Sequence, residues 1–162
     1  MTKVSKICSF YASDWHMITM LLPHVNKMIN EGTKITTILE QDSSNKIQIL
    51  LSKLRLKNER QIGRINWKKT ENIKHKIKEI LEDNIGENIE IIICGSKQYM
   101  DSVNENIEEY VKDNDEINNY IKIVNCYNIE EINAKEILEK HDGVLNTAGE
   151  KEKNTFLKSL NA

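Results

Sequence analysis

Residues 89–94 read IEIIIC, and Gly95-Ser96 follows at once. An almost unbroken apolar run of that length, closed by glycine, is the pattern of a strand buried on both faces, which parallel sheets require and solvent-facing sheets do not. Its flanks decide the rest. Upstream, a helix opening at Thr70 carries Ile73, Ile77, Ile80 and Leu81 on one face, with Gly86 just past its end. Downstream, Met100, Val103, Ile107, Tyr110 and Val111 recur at helical spacing. A buried strand set between two amphipathic helices is the repeating unit of a sheet covered on both sides.

The alternation continues towards both termini. Residues 6–12, with ICSFYA at the centre, are apolar and aromatic, and close at Ser13-Asp14, a pair suited to capping a helix. Ile18, Leu21, Leu22, Val25, Met28 and Ile29 give that helix its face, and Gly32 stands where its C-terminus wants positive φ. Pro23 removes a backbone donor inside it, which predicts a kink or break near His24. His24 and His75 are read as helix-surface residues. Residues 34–40 (KITTILE) form a second strand, and Ser43-Ser44 caps a helix with Ile47, Leu50, Leu51 and Leu54 inward. Residues 61–67 (QIGRINW) fit neither period well and are read as a short strand. Residues 120–126 (YIKIVNC) are the next strand. Asn133 caps a helix through Ile137 and Leu138 that ends at His141-Asp142-Gly143. An extended piece at 144–146 leads into a polar helix over 147–162. The expectation is an α/β fold of class α-β-α, a three-layer sandwich around a mainly parallel central sheet of about five strands, with right-handed crossovers and one domain over 1–162.

Composition narrows function by exclusion. Lys and Arg number 23 against 25 Asp and Glu, a net charge of −2 that gives no general attraction to nucleic acid or anionic lipid. Neither is expected as a partner. Cys8, Cys94 and Cys126 are odd in number and form no CxxC pair, which suits a reducing cytoplasm. No apolar window is long enough to span a bilayer, and the N-terminus lacks a signal-peptide core, so a cytoplasmic location is expected.

In open parallel sheets, ligands bind beyond the carboxyl ends of the strands. The segments there include Tyr11, Trp15, His16, Trp67, Ser96, Tyr99, Tyr127 and Asn128, with both Trp and three of the five Tyr among them. Aromatic walls with a few hydroxyls, an amide and an imidazole suit a small, partly apolar ligand, so these eight are the candidate site. The alternative is that the aromatics only cap the core. Gly95-Ser96-Lys97 invites a phosphate reading, because a helix N-terminus presents bare N–H groups. Yet neither GxxxxGK[ST] nor GxGxxG occurs, and no cofactor is expected. The cysteines and His16 could be imagined as metal ligands, but they lack ligand spacing and no metal is expected.

Three stretches taken together carry a family resemblance: ICSFY at 7–11, LLPHVNKMINEGTKITTILE at 21–40 and NCYNIEEINAKEILEKHDGVL at 125–145. Over about residues 4–146 they resemble the MEDS sensory domains of methanogen and methylotroph proteins. Cys8, Phe10 and Tyr11 match the opening strand of that family, Pro23 and Gly32 the first helix and its exit, Cys126 and Tyr127 the late strand, and His141 the end of its helix. Asn128 stands where Asp is common and Asp142 where Pro is usual. The resemblance implies a RecA-like or Rossmann-like fold without the ATPase loop. It also implies a sensor of small hydrocarbon-derived molecules, joined in larger members to DNA-binding, kinase or other signalling domains. A chain of this length leaves no room for those, so such a sensor is expected to act through a separate signalling protein.

Three functions follow as hypotheses: a non-enzymatic small-molecule sensor, a protein-binding adaptor or kinase antagonist without a small ligand, and an enzyme using Cys8 or His16. A homodimer is expected only on the general frequency of symmetric dimers.

Overall fold

The computed structural model describes residues 2–114 and 119–160. Within them, one sheet of six strands has helices on both faces. The strands are β1 (Lys3–Tyr11), β2 (Lys34–Leu39), β3 (Asn88–Cys94), β4 (Tyr120–Asn128), β5 (Gly143–Asn146) and β6 (Gly149–Glu152). The helices are α1 (Asp14–Asn30), α2 (Ser44–Leu54), α3 (Glu59–Arg64), α4 (Ile73–Asp83), α5 (Lys97–Asp113), α6 (Ala134–Glu139) and α7 (Lys153–Leu160). Strand order is β2-β3-β4-β1-β5-β6, parallel throughout except for β6, which pairs antiparallel with β5. This differs from the 3-2-1-4-5-6 order of the dinucleotide-binding fold.

Alternation along the strands divides the core in two. Ile7, Tyr11, Leu39, Ile92, Cys94, Val124 and Cys126 face α1, α2 and α3. Cys8, Ile38, Ile89, Ile91, Ile93, Ile121, Ile123 and Tyr127 face α4, α5 and α6. The isoleucines of β3 are at most 1% exposed, each contributing about 1.5–3 kcal/mol of burial. The strand lies inside the sheet, as its unbroken apolar run predicts.

Five sequence expectations change. Residues 61–67 are not a strand: α3 occupies most of that stretch, and a loop over 65–70 runs along the outer edge of β2. Thr37 Oγ1 donates to the Asn66 carbonyl, Leu39 N–H donates to Thr70 Oγ1 at 3.1 Å, and Thr70 N–H returns to the Leu39 carbonyl at 2.9 Å. The loop thus covers part of the edge and satisfies the Leu39 backbone groups, which would otherwise be free. The helix expected from Thr70 begins at Ile73, capped by Asn72, because Thr70 is spent on that edge. A helix over 147–162 is preceded instead by β6, a sixth strand in the hairpin with β5. Helix α1 runs through Pro23 to Asn30 without a break. His24 is not a surface residue: it is buried, with Nε2 at 2.8 and 2.9 Å from the two carboxylate oxygens of Glu90 on β3, itself 0% exposed. His75 is on the surface as expected.

No helix among the described residues is long and apolar enough to cross a membrane.

Candidate functional site

The connections from β1 and β4 diverge. From β1 the chain passes through α1 on one face towards β2; from β4 it passes through α6 on the other face to β5, beyond β1. Neighbouring strands whose connections part in this way open a crevice at their carboxyl ends. A cleft of about 280 Å³ lies there, lined from β1 and α1 by Tyr11, Asp14 and Met17, from beyond β2 by Glu40, Gln41, Asp42, Ser43 and Lys46, and from β3 and β4 by Cys94, Gly95, Ser96 and Asn128.

Three helix N-termini converge on this edge, and each carries an acid of the chain itself. Asp14 is in the first turn of α1, where the Ser13 hydroxyl accepts the His16 N–H at 3.2 Å. Asp42 accepts the Ser44 N–H at 2.8 Å, and its hydrogen bonds to Ser44 hold its carboxyl below the ordinary value. Glu40 Oε1 accepts the Ser96 N–H at 2.9 Å, one residue before α5. Gly95 permits that approach, since a Cβ there would stand 2.9 Å from Glu40 Cβ and 2.7 Å from Tyr99 Cδ1. The partial positive ends of the helices are therefore satisfied by carboxylates. This counts against the phosphate reading of Gly95-Ser96-Lys97, because the Ser96 N–H is taken and the Glu40 carboxylate stands where an anion would sit.

Of the eight candidate residues, the cleft gathers Tyr11, Ser96 and Asn128. The others lie elsewhere. Trp15 sits beside it on α1, 44% exposed, with Lys46 Nζ 5.9 Å from its ring centre. His16 is held by the backbone, its Nδ1 accepting the Ala12 N–H at 3.1 Å. Trp67 is core, donating from Nε1 to the Ile62 carbonyl at 2.9 Å. Tyr99 lies in the first turn of α5, and its buried hydroxyl has no hydrogen-bond partner among the described residues. Tyr127 faces the opposite side of the sheet, edge-on to His141 at 5.8 Å. The expected shared aromatic wall is thus divided between two faces, and the cleft is polar. Glu40, Gln41, Asp42 and Lys46 are the lining residues that the aromatic criterion passed over. They follow β2 directly, so a search for polar residues past every strand end would have found them.

Tyr127 belongs to a second cleft of about 250 Å³ on the α5–α6 face, with Asn104, Asn125 and His141 among its lining. Its buried amides form a closed chain. Asn104 Nδ2 donates to Asn125 Oδ1 at 2.9 Å and to the Met100 carbonyl at 2.7 Å; Asn125 Nδ2 meets His141 Nε2 at 3.0 Å; His141 Nδ1 meets the Ile137 carbonyl at 2.7 Å. Since an amide nitrogen only donates, the imidazole is neutral with its proton on Nδ1. These side chains use their hydrogen bonds on one another, tying α5, β4 and the end of α6 together.

Cys8 is unsuited to nucleophilic work. It is wholly buried on the α4–α6 face, its Sγ lies 3.6 Å from the Gly143 carbonyl, and burial pushes its thiol up to about 12. His16, on α1 across the sheet, is not its base. Cys94 and Cys126 are register partners on β3 and β4, and Cys126 is held as a thiol by its hydrogen bond with Cys94 and by burial. Among the described residues, no three His, Cys, Asp or Glu side chains stand together as a metal site.

The residues of the family resemblance fall on β1, α1 and its exit, β4 and the end of α6. Compared with protein-family models, curated proteins and solved structures, the chain finds no match.

Proposed function

We propose that this protein is a non-enzymatic sensor domain that binds a small molecule in the cleft beyond β1–β4 and transmits occupancy to a partner protein. The observation that carries the reading is the position of the cleft at the point where the β1 and β4 connections diverge, with side chains from four strand ends lining it. The polar lining supports a ligand more polar than the partly apolar one expected from sequence. Asp14 is paired with Lys46 at 2.6 Å, which leaves Glu40 and Asp42 as acceptors, with Tyr11, Gln41, Ser43, Ser96 and Asn128 as neutral hydrogen-bonding groups. A small ligand rich in donors, an amine or a polyol, fits this set; a phosphate or carboxylate does not.

Thermal-shift measurements across small amines, polyols, alcohols, aldehydes and halocarbons test the proposal. Amines or polyols should raise Tm, since binding to the folded state alone stabilises it. Asp42→Asn retains the helix-capping acceptor and Gln41→Ala removes an exposed neutral lining group; both should weaken the shift while leaving the unliganded Tm nearly unchanged. Silence across every class, or a response confined to halocarbons and unaffected by both substitutions, would remove the basis of the proposal.

A further inference from the structure

The net charge of −2 averages over a strongly uneven distribution. Between residues 53 and 78 stand ten of the 23 cationic side chains, including all three arginines, Arg55, Arg60 and Arg64, against only Glu59 and Glu71. The remainder of the chain therefore holds 13 Lys and Arg against 23 Asp and Glu. The fold carries this segment around one end of the sheet, where α4 continues beyond it into Glu79, Glu82 and Asp83. It is the stretch by which the chain passes from the α2–α3 face, around the outer edge of β2, to α4 on the other face. The bonds from Thr37 and Leu39 to the loop pin it against that edge.

The cations are displayed rather than consumed. Lys53, Arg55, Lys57, Arg60, Arg64, Lys68, Lys69, Lys74 and Lys78 are all exposed, and none is within ion-pair distance of a described acid; Lys76 alone is, at 3.9 Å from Glu79. Like charges gathered in this way raise the energy of the free protein, and a polyanion relieves it while releasing its own counterions.

We infer that the β2 edge binds the phosphate backbone of double-stranded nucleic acid without reading sequence. Its composition selects this partner among polyanions. The exposed large apolar side chains, Trp15, Ile49, Ile85, Tyr120 and Ile129, all lie outside residues 53–78, so the patch has no apolar face to insert into a membrane. Its one indole, Trp67, is buried, and with neither Tyr nor Phe in the segment the exposed His75 is the single ring left for stacking, too little for a single-strand platform. Lysine is depleted at protein interfaces, whose centres are apolar, whereas nucleic-acid interfaces are polar and strongly positive. The acidic remainder of the molecule orients this edge towards a polyanion and keeps the other surfaces away.

The test is fluorescence anisotropy with a labelled random-sequence duplex of about 24 base pairs, titrated at several KCl concentrations, using the full chain. Binding should be sequence-independent, with log K falling against log[KCl] at a slope near −4, corresponding to about four neutralised phosphates. The quadruple variant Arg55→Glu, Arg60→Glu, Arg64→Glu, Lys68→Glu should lose at least tenfold in affinity at 50 mM KCl. The control Lys112→Glu, Lys135→Glu, Lys151→Glu, Lys158→Glu, with the same change in net charge elsewhere, should lose much less. Arg60→Gln with Arg64→Gln, which adds no acid, should give an intermediate loss, and circular dichroism checks each fold. Undetectable binding at 50 mM KCl, equal losses in both quadruple variants, or binding to phosphatidylserine vesicles but not to duplex would overturn the assignment. So would salt-sensitive self-association in sedimentation that disappears in the first variant while duplex binding persists.

Discussion

Tyr99 illustrates how much a single atom decides. Its ring packs beside Gly95 and its hydroxyl is buried without a hydrogen bond; burial, then the nearby Glu40 and Cys94, push its phenol up to about 12. A buried donor left unpaired costs about 1–3 kcal/mol, whereas removing it leaves the ring contacts in place. Tyr99→Phe should therefore raise stability by about 1 kcal/mol in urea unfolding; a comparable loss would mean that the hydroxyl has a partner after folding. In the sequence, Tyr99 stands among the aromatics expected to wall the ligand site. The neighbouring Glu40, which closes the N-terminus of α5, was not singled out, because its role depends on β2 and β3 being adjacent.

At the scale of elements, α1 is joined to β3 by one polar contact in an otherwise apolar layer. His24 follows Pro23 and reaches both oxygens of the buried Glu90. His24→Ala leaves that carboxyl without its donor and should cost about 3 kcal/mol, of which Glu90→Gln in the same chain should recover part. Urea midpoints of the two single variants and the double variant measure the coupling. Pro23 is exposed, and its ring denies a donor to the carbonyl four residues earlier, so Pro23→Ala should stabilise α1 by about 1–3 kcal/mol. A loss instead would show that the restriction proline places on the unfolded chain outweighs the hydrogen bond it removes. A proline inside the periodic stretch announced a disturbed helix, but packing of Leu21, Leu22 and Val25 carries the helix through.

For the whole molecule, the Asn104–Asn125–His141 chain sets a pH response. Burial, outweighing the backbone bond to Ile137 that acts in the opposite sense, holds His141 below its ordinary 6.5. The unfolded chain then takes up the proton first. His141 contributes stability that is complete above about pH 6.5 and is lost as pH falls towards the depressed folded value, at up to about 1.4 kcal/mol per pH unit. Unfolding free energies at pH 7.5, 6.5 and 5.5 should decline in that direction, and His141→Gln should flatten the decline; an unchanged slope would assign it to other groups. Local periodicity was enough to determine the layered α/β class, six of the seven α-helices among the described residues and the buried nature of β3, because burial of a regular element writes its period into consecutive residues. What it did not determine was face and neighbour. Phe10 pairs with Tyr127 across β1 and β4, so Tyr11, one residue on, points the opposite way, and Tyr127 leaves the cleft that Tyr11 lines. Likewise GEKE at β6 is too polar to read as a strand, and it becomes one because β5 offers an open ladder of N–H and C=O groups. Register parity and edge pairing are relations between residues far apart in the chain, and only the folded sheet decides them.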